Sequence, residues 1–282
     1  MKTLLVTLTP SESKRLIAKA VPSVPAVQTA MKKGKIYISQ GTTCAMVAEE
    51  LLGISLDISH YLCGTVTLGR TCRTPDNRTP SLQLIDGKPI DQSALKDLPD
   101  EEVRRIAASF YDDYGPDDIF IKGANAIDAN GHVGFLLGNK TGGGILAFAH
   151  VHAARKSKLV VPVGLEKFVP SVPDASRSVR GLYGYDYSFG RGCGYFSVDD
   201  AIVVTEIEAI RLLFDVKATL VASGGVGGSE GAVVLSCEGE DDNVKHLYRC
   251  LKDEVKGEPP ISAWKMDCKT CEKFCNYPFK PE

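Results

Sequence analysis

The chain has 282 residues, 44% hydrophobic and 24% charged, a globular composition with ample apolar material for a buried core. A formal net charge of -2 gives no whole-chain electrostatic reason to expect a nucleic-acid partner. No run of about 18 apolar residues marks a membrane span, and the apolar stretch in "MKTLLVTLTPSESK" is too short for a signal peptide, so a cytoplasmic protein without membrane association is expected.

The nine cysteines are odd in number and mostly scattered, which argues against a disulfide framework. In chain order, "KTLLVTLTPSESKRLIAKAV" predicts a short apolar strand and a Ser/Glu-rich helix start, with a second helix around Val24 to Lys33. "KIYIS" is a β-rich strand, and "CAMVAEELLG" has helical spacing with Gly53 as its stop. Between Ser55 and Pro99 the pattern changes to two strand-like stretches, "YLCGTVTLGR" and "SLQLIDGKPI", around a polar basic loop.

A helix is expected from about Asp100 to Tyr111. The strand Ile119 to Ile121, a Gly-rich turn "NKTGGG", the helix "ILAFAHVHAARKS" and the strand "KLVVPVGL" follow. Strands alternating with helices of this length predict a parallel sheet covered on both faces. "RGLYGYDYSFGRGCGYF" is rich in Gly and Tyr without a period, and is read as a loop able to cover a site. The remainder predicts a βαββα module from about Ser197 to Gly257, with two strands joined through a Gly-rich turn. The domain reading is therefore 1–196 for an α/β ligand-binding domain with a β-hairpin insertion near 55–99, 197–260 for the βαββα extension, and 261–282 for a Cys-rich tail.

Two Gly-rich turns suit an anion. In "SQGTTCAMVAEELLG", Gly41, Thr42 and Thr43 place free N–H groups and hydroxyls at a helix N-terminus; the alternative is that a threonine only caps the helix. In "GNKTGGGIL", Lys140 supplies charge while Gly142, Gly143 and Gly144 let a ligand approach the backbone. Both turns are expected at the carboxyl edge of one sheet, where open α/β folds bind ligands. Arg70, Arg73 and Arg78 are further basic candidates in the loop before Pro99. Cys44 stands at a helix N-terminus that would stabilise a thiolate, with packing as the alternative.

These residues resemble a known superfamily. "YISQGTTCAMVAEELLG" is similar to the strand–Gly-Thr-Thr–helix of DeoR-type sugar-phosphate-sensing domains and of ribose-5-phosphate isomerase. The stretch from "IFIKGANAIDANGHVG" to "VPVGLEKF" resembles the Gly-Ala-Asp, Asn-Gly and Gly-Thr segment of methylthioribose-1-phosphate isomerase and initiation factor 2B subunits. In DeoR-type domains a Lys ends the next strand, as Lys167 does here. The resemblance spans about half the chain and implies the ribose-phosphate isomerase/CoA-transferase-like fold: a largely parallel, Rossmann-like α/β sheet with, here, a C-terminal α+β extension.

The departures bear on activity. Asn125 stands where those isomerases have an Asp, and Ala126 where ribose-5-phosphate isomerase has a further acid. Asparagine can hold a sugar hydroxyl but cannot shuttle a proton. An enzymatic reading then falls on Asp128 as a displaced carboxylate, although Asp before Asn-Gly is also an ordinary turn former. The CoA-transferase branch needs a glutamate nucleophile; Glu230 in "GGVGGSEGAVV" is the acid in a Gly-rich setting, and Glu166 beside Lys167 is the other.

The tail "MDCKTCEKFCNYPFKPE" places Cys268, Cys271 and Cys275 within eight residues, a spacing that suits Zn²⁺ or an iron–sulfur cluster. The resulting expectation is a homo-oligomeric protein that binds a small anionic metabolite, a phosphorylated sugar or nucleotide-like molecule. Asn125, Asp128 and Lys167 would contact the ligand's polar body. An isomerase, an acyl or CoA transferase, a catalytically silent sensor or assembly subunit, and a metal or iron–sulfur protein all remain open at this point.

Overall fold

The computed structural model describes residues 1–74, 78–95, 98–262, 267, 268, 271 and 275, of which 94, 100, 101 and 104 by backbone alone. The chain begins with β1 (Lys2–Leu8), α1 (Pro10–Ala20), α2 (Pro25–Lys33), β2 (Lys35–Ile38) and α3 (Thr42–Leu52). Two hairpins follow, β3 (Gly64–Thr67) with β4 (Arg70–Arg73) and β5 (Leu82–Ile85) with β6 (Lys88–Pro89), then α4 (Asp100–Ser109) and β7 (Ile119–Ile121). Next come β8 (Ala126–Ile127), β9 (Val133–Leu137), α5 (Gly143–Arg155), β10 (Lys158–Pro162) and α6 (Val172–Ser178). The last elements are β11 (Gly194–Val198), β12 (Ile202–Val204), α7 (Glu206–Phe214), β13 (Lys217–Ser223), β14 (Val233–Gly239) and α8 (Asp241–Cys250).

Local chemistry explains the helix starts. Thr9 caps α1 in a reciprocal capping box with Glu12: Glu12 N donates to Thr9 Oγ1, and Thr9 N donates to Glu12 Oε2. Pro10 at the first helical position loses no hydrogen bond there. Thr205 caps α7 by accepting from Glu208 N. By contrast, the cap residues of α3 and α5 are glycines, Gly41 and Gly142, which offer no side-chain cap, so the first N–H groups are left for other acceptors.

The main sheet has six strands in the order β12-β10-β7-β2-β5-β6. The first four are parallel, and β5 and β6 extend the edge beyond β2 in antiparallel pairing. Alternation of side chains across the strands divides the core in two. Ile36, Ile38, Ile119, Ile121 and Val160 face one cluster with α1, α3 and α7, and Tyr37, Phe120, Leu159 and Val161 face an aromatic cluster with α5 and Phe110. Phe120 and Phe148 stack at 4.8 Å between centroids. Tyr61 joins β2 to β5 directly: its hydroxyl donates to Ile38 O at 2.6 Å and accepts from Leu82 N at 3.0 Å.

A second sheet, β1-β14-β13, is antiparallel. Its inner residues Leu8, Val233, Leu235 and Cys237 belong to the same cluster as α1 and α7, so these helices are shared with the main sheet. The N-terminal strand β1 thus pairs with β14, the last strand among the described residues. β12 joins the main sheet instead, in parallel with β10.

Two sequence expectations change in detail. "HVGFLL" forms β9, which pairs antiparallel with β8 and β11 in a separate sheet, so the turn carrying Lys140 does not follow a parallel strand. The end of the Gly/Tyr-rich stretch is β11, and the preceding segment docks on the first hairpin, where Arg191 N donates to Thr71 O and Thr71 Oγ1 donates to Arg191 O. Gly194 and the glycines before it hide the period of two of this strand in the sequence. Among the described residues, no helix is long and apolar enough to cross a membrane.

Candidate functional site

The four parallel strands deliver polar residues to one edge as soon as their apolar runs end. β2 gives Ser39, Gln40 and Gly41; β7 gives Lys122; β10 leads through Gly164 to a 3-10 turn, Leu165–Lys167; β12 gives Thr205 and Glu206. Lys122 Nζ lies 3.3 Å from Ser39 Oγ, joining the ends of β7 and β2. On the adjoining α3, the Cys44 thiol sits between strand ends, accepting from Gly123 N at 3.2 Å and lying 3.9 Å from Ile121 O.

Cys44 is fully buried. Burial pushes its thiol pKa up, and the cations of Lys122 and Lys167 only partly oppose that. A neutral thiol is the consequence, so the expected helix-terminus activation is outweighed by desolvation. Both lysines also feel the site. Burial lowers the pKa of Lys122, against opposing influences from Cys44 and Cys63. Burial likewise lowers that of Lys167; Lys14 adds to the effect, while Glu166, Glu206 and Cys44 oppose it.

Around Lys167 the charges form a chain. Glu166 Oε1 is 3.3 Å from Lys14 Nζ and 3.7 Å from Lys167 Nζ. Glu206, fully buried, accepts from Leu165 N at 2.9 Å, and burial raises its carboxyl pKa. The Gly-rich turn between β13 and β14 reaches the same place. Gly231, at φ +80°, leaves room where a Cβ would stand 3.8 Å from Glu166 Cβ.

Gly41, Thr42 and Thr43 occupy the start of α3 at this edge. Gly41 is the cap residue, so neither threonine caps the helix, and Thr43 is buried while Thr42 is half-buried. Gly41 N is committed to Tyr61 O at 2.8 Å. Arg78 is drawn to the edge by its Nε donating to Gln40 Oε1 at 3.2 Å; Arg70 and Arg73 lie on β4. Lys167 is close enough to the start of α3 for its charge to act on Cys44, whereas Asn125 and Asp128, with which the sequence reading grouped it, belong to the β8–β9 hairpin.

The second turn stands on the other face of the sheet, at the start of α5. Lys140 is exposed, and Gly142 at φ +75° packs under Leu146, whose Cδ1 would be 2.1 Å from an added Cβ. Only glycine fits there. Gly143 follows, also at positive φ, and a Cβ at Gly144 would lie 4.0 Å from the Tyr111 hydroxyl.

Asn125 and Asp128 hold the β8–β9 hairpin. Asn125 Oδ1 accepts from Leu136 N at 2.9 Å. Asp128, 4% exposed, accepts from Asn130 N at 3.0 Å and His132 N at 3.1 Å through Oδ1. Its Oδ2 lies 3.0 Å from both Val172 N and His132 Nδ1, so the carboxylate also caps α6. Burial alone would raise its pKa, but the hydrogen bonds from Val172, His132 and Asn130 outweigh that and lower it. Glu230 is exposed in the β13–β14 turn, where its carboxylate accepts from Gly228 N at 2.9 Å.

The remaining cysteines and histidines are separately engaged. His150 is exposed, whereas both ring nitrogens of His152 face acceptors, Ser157 O and Asp200 Oδ1. Cys193 Sγ donates to Arg191 O. Cys268, Cys271 and Cys275 are half-buried and free, while most of the surrounding tail lies outside the described residues. Cys72 has its thiol pKa raised mainly by burial, with Cys268 and Cys271 adding to the shift. Among the described residues no group of three or more His, Cys, Asp or Glu is placed to hold a metal ion.

Lys122, Ser39, Lys14 and Glu206 are absent from the sequence-derived site. A usable signal existed for Lys122: in "IFIK" a lysine directly follows the three apolar residues of a central strand. No family model, curated protein or solved structure matches the chain.

Proposed function

We infer that the protein binds a small anionic metabolite, a phosphorylated sugar or nucleotide-like molecule, at the carboxyl edge of its main sheet. The reading takes the fold as a Rossmann-like sheet of the ribose-phosphate isomerase/CoA-transferase type. The observation that carries it is the position of two half-buried lysines, Lys122 at the end of β7 beside Ser39 and Lys167 in the turn after β10, whose charges both act on Cys44 and whose pKa values burial lowers. A cation partly withdrawn from water is relieved by an incoming anion. The first turn of α3, without a side-chain cap, adds backbone donors beside them.

Isomerase-like or transferase-like chemistry finds its acid in Glu166 and Glu206, which face Lys167 at the same edge. A non-catalytic sensor or assembly subunit is the second reading. It is favoured by Asn125 and Asp128, whose side chains are occupied in holding the β8–β9 hairpin.

A thermal-shift titration with inorganic phosphate, ribose 5-phosphate, a nucleoside monophosphate and coenzyme A tests the reading, because a ligand preferring the native state raises its apparent stability. Stabilisation by at least one anion, abolished by Lys167→Met, is expected. A flat response to all four compounds would remove the proposed site.

A further inference from the structure

Lys122 differs from the other lysines that are withdrawn from solvent. Lys14, Lys19, Lys35 and Lys167 are each within ion-pair distance of a carboxylate. Lys158, also half-buried, donates to a backbone carbonyl, Pro116 O. The partner of Lys122 is a hydroxyl, Ser39 Oγ at 3.3 Å, and among the described residues no carboxylate pairs with it.

Structural lysines are normally given a counter-ion, whereas an amine that must act as a nucleophile is kept from one and desolvated. Lys122 also lies where the chain leaves a parallel strand, on the same edge as Lys167 and the start of α3. An anion held there would present the rest of its molecule along the strand ends.

We propose that Lys122 is an amine nucleophile that forms an imine with a carbonyl carbon of the bound anion, so that the ligand class is a phosphorylated or carboxylated aldehyde or ketone. This rests on the anion site inferred above. The lone pair of neutral Nζ forms the C–N bond while the carbonyl π pair moves to oxygen. One Nζ proton passes to that oxygen, with the Ser39 hydroxyl placed to relay it, giving a carbinolamine. A further proton from solvent lets the C–O bond break, and water leaves as the iminium forms. The lowered pKa of Lys122 raises the fraction of neutral amine, which is the reactive form.

The test is reductive trapping on the full-length protein. Dihydroxyacetone phosphate or pyruvate is added with cyanoborohydride, which delivers hydride to an iminium carbon and fixes it as a secondary amine. Intact mass and peptide mapping then locate the product, with phosphate-induced thermal stabilisation measured in parallel. One adduct at Lys122 is expected, with at least a tenfold loss in Lys122→Arg, a variant that keeps the charge. The two compounds separate a phosphate-bearing from a carboxylate-bearing ligand.

Adducts that are absent, or spread over exposed lysines, while phosphate still stabilises the protein would overturn the imine and leave the anion site standing. Absence of both responses would remove the two together. If Lys122→Arg does not fold, as read by its melting profile, the mapped position in the unaltered protein decides the question alone.

Discussion

Lys122 Nζ lies 3.3 Å from Ser39 Oγ, so the side chains leaving the ends of β7 and β2 meet over the edge of the sheet. A hydroxyl cannot neutralise an ammonium, and burial therefore depresses the Lys122 pKa below the ordinary 10.5. Replacing this lysine with methionine keeps most of the packing volume and removes the desolvated charge. Lys122→Met is expected to raise stability at neutral pH by about 0.5–2 kcal/mol while weakening the response to phosphate. The pH dependence has a fixed sign. Between the depressed folded value and 10.5 the unfolded chain binds more protons, so native stability rises with pH across that window. In Lys122→Met this rise should vanish, which chemical denaturation at a series of alkaline pH values measures.

Glu166 stands between Lys14 and Lys167, at 3.3 and 3.7 Å. An incoming anion must share those cations with it. Glu166→Gln is expected to cost about 1 kcal/mol of stability by leaving two lysines mutually repelling, and to tighten phosphate binding several-fold by removing the competing charge. Isothermal titration of phosphate against both proteins checks this; weaker binding in the variant would mean that Glu166 orients Lys167 for the ligand.

The carboxylate of Asp128 satisfies three backbone N–H groups, those of Asn130, His132 and Val172. Removing it leaves these donors unpaired beneath α6, so Asp128→Ala should lose about 2–3 kcal/mol. Its pKa lies below the ordinary 3.8, so its contribution is complete above 3.8 and fades as pH falls through the folded value. The stability gap between the unaltered protein and Asp128→Ala should therefore close in acid. Urea melts from neutral pH down to strongly acid conditions would show it, and phosphate should still stabilise the variant at neutral pH.

Much of the fold could be read from local pattern. Apolar runs such as "IYI", "IFI" and "LVV" read as central strands, and "IYI" is followed directly by the helix α3. What pattern could not show was partnership. Nothing in "KTLLVTL" says that β1 pairs with β14 at the far end of the chain. Nothing in "HVGFLL" tells an antiparallel ribbon from a parallel strand.

The site was legible in part for the same reason. Gly41, Thr42 and Thr43 announce a helix start, and Lys167 follows the apolar run of β10, in the 3-10 turn Leu165–Lys167. Glu206 acquires meaning only when β10 and β12 lie side by side. Asp128 looks the same in sequence whether it serves a ligand or a turn, and one of its hydrogen bonds comes from Val172, 44 residues away.

Cys44 and Cys63 should differ sharply in reactivity. Alkylation requires thiolate, access and room for the reagent. Cys44 is fully buried, with its thiol pKa raised by that burial despite Lys122 and Lys167 nearby. Its sulfur already accepts from Gly123 N. Cys63 is exposed. Iodoacetamide at mildly alkaline pH is therefore expected to modify Cys63 readily and Cys44 only in denaturant, as peptide mapping can show. Rapid native labelling of Cys44 would mean that the carboxyl edge opens far enough to admit a small molecule to the first turn of α3. In that event phosphate, by occupying the edge, should slow the labelling.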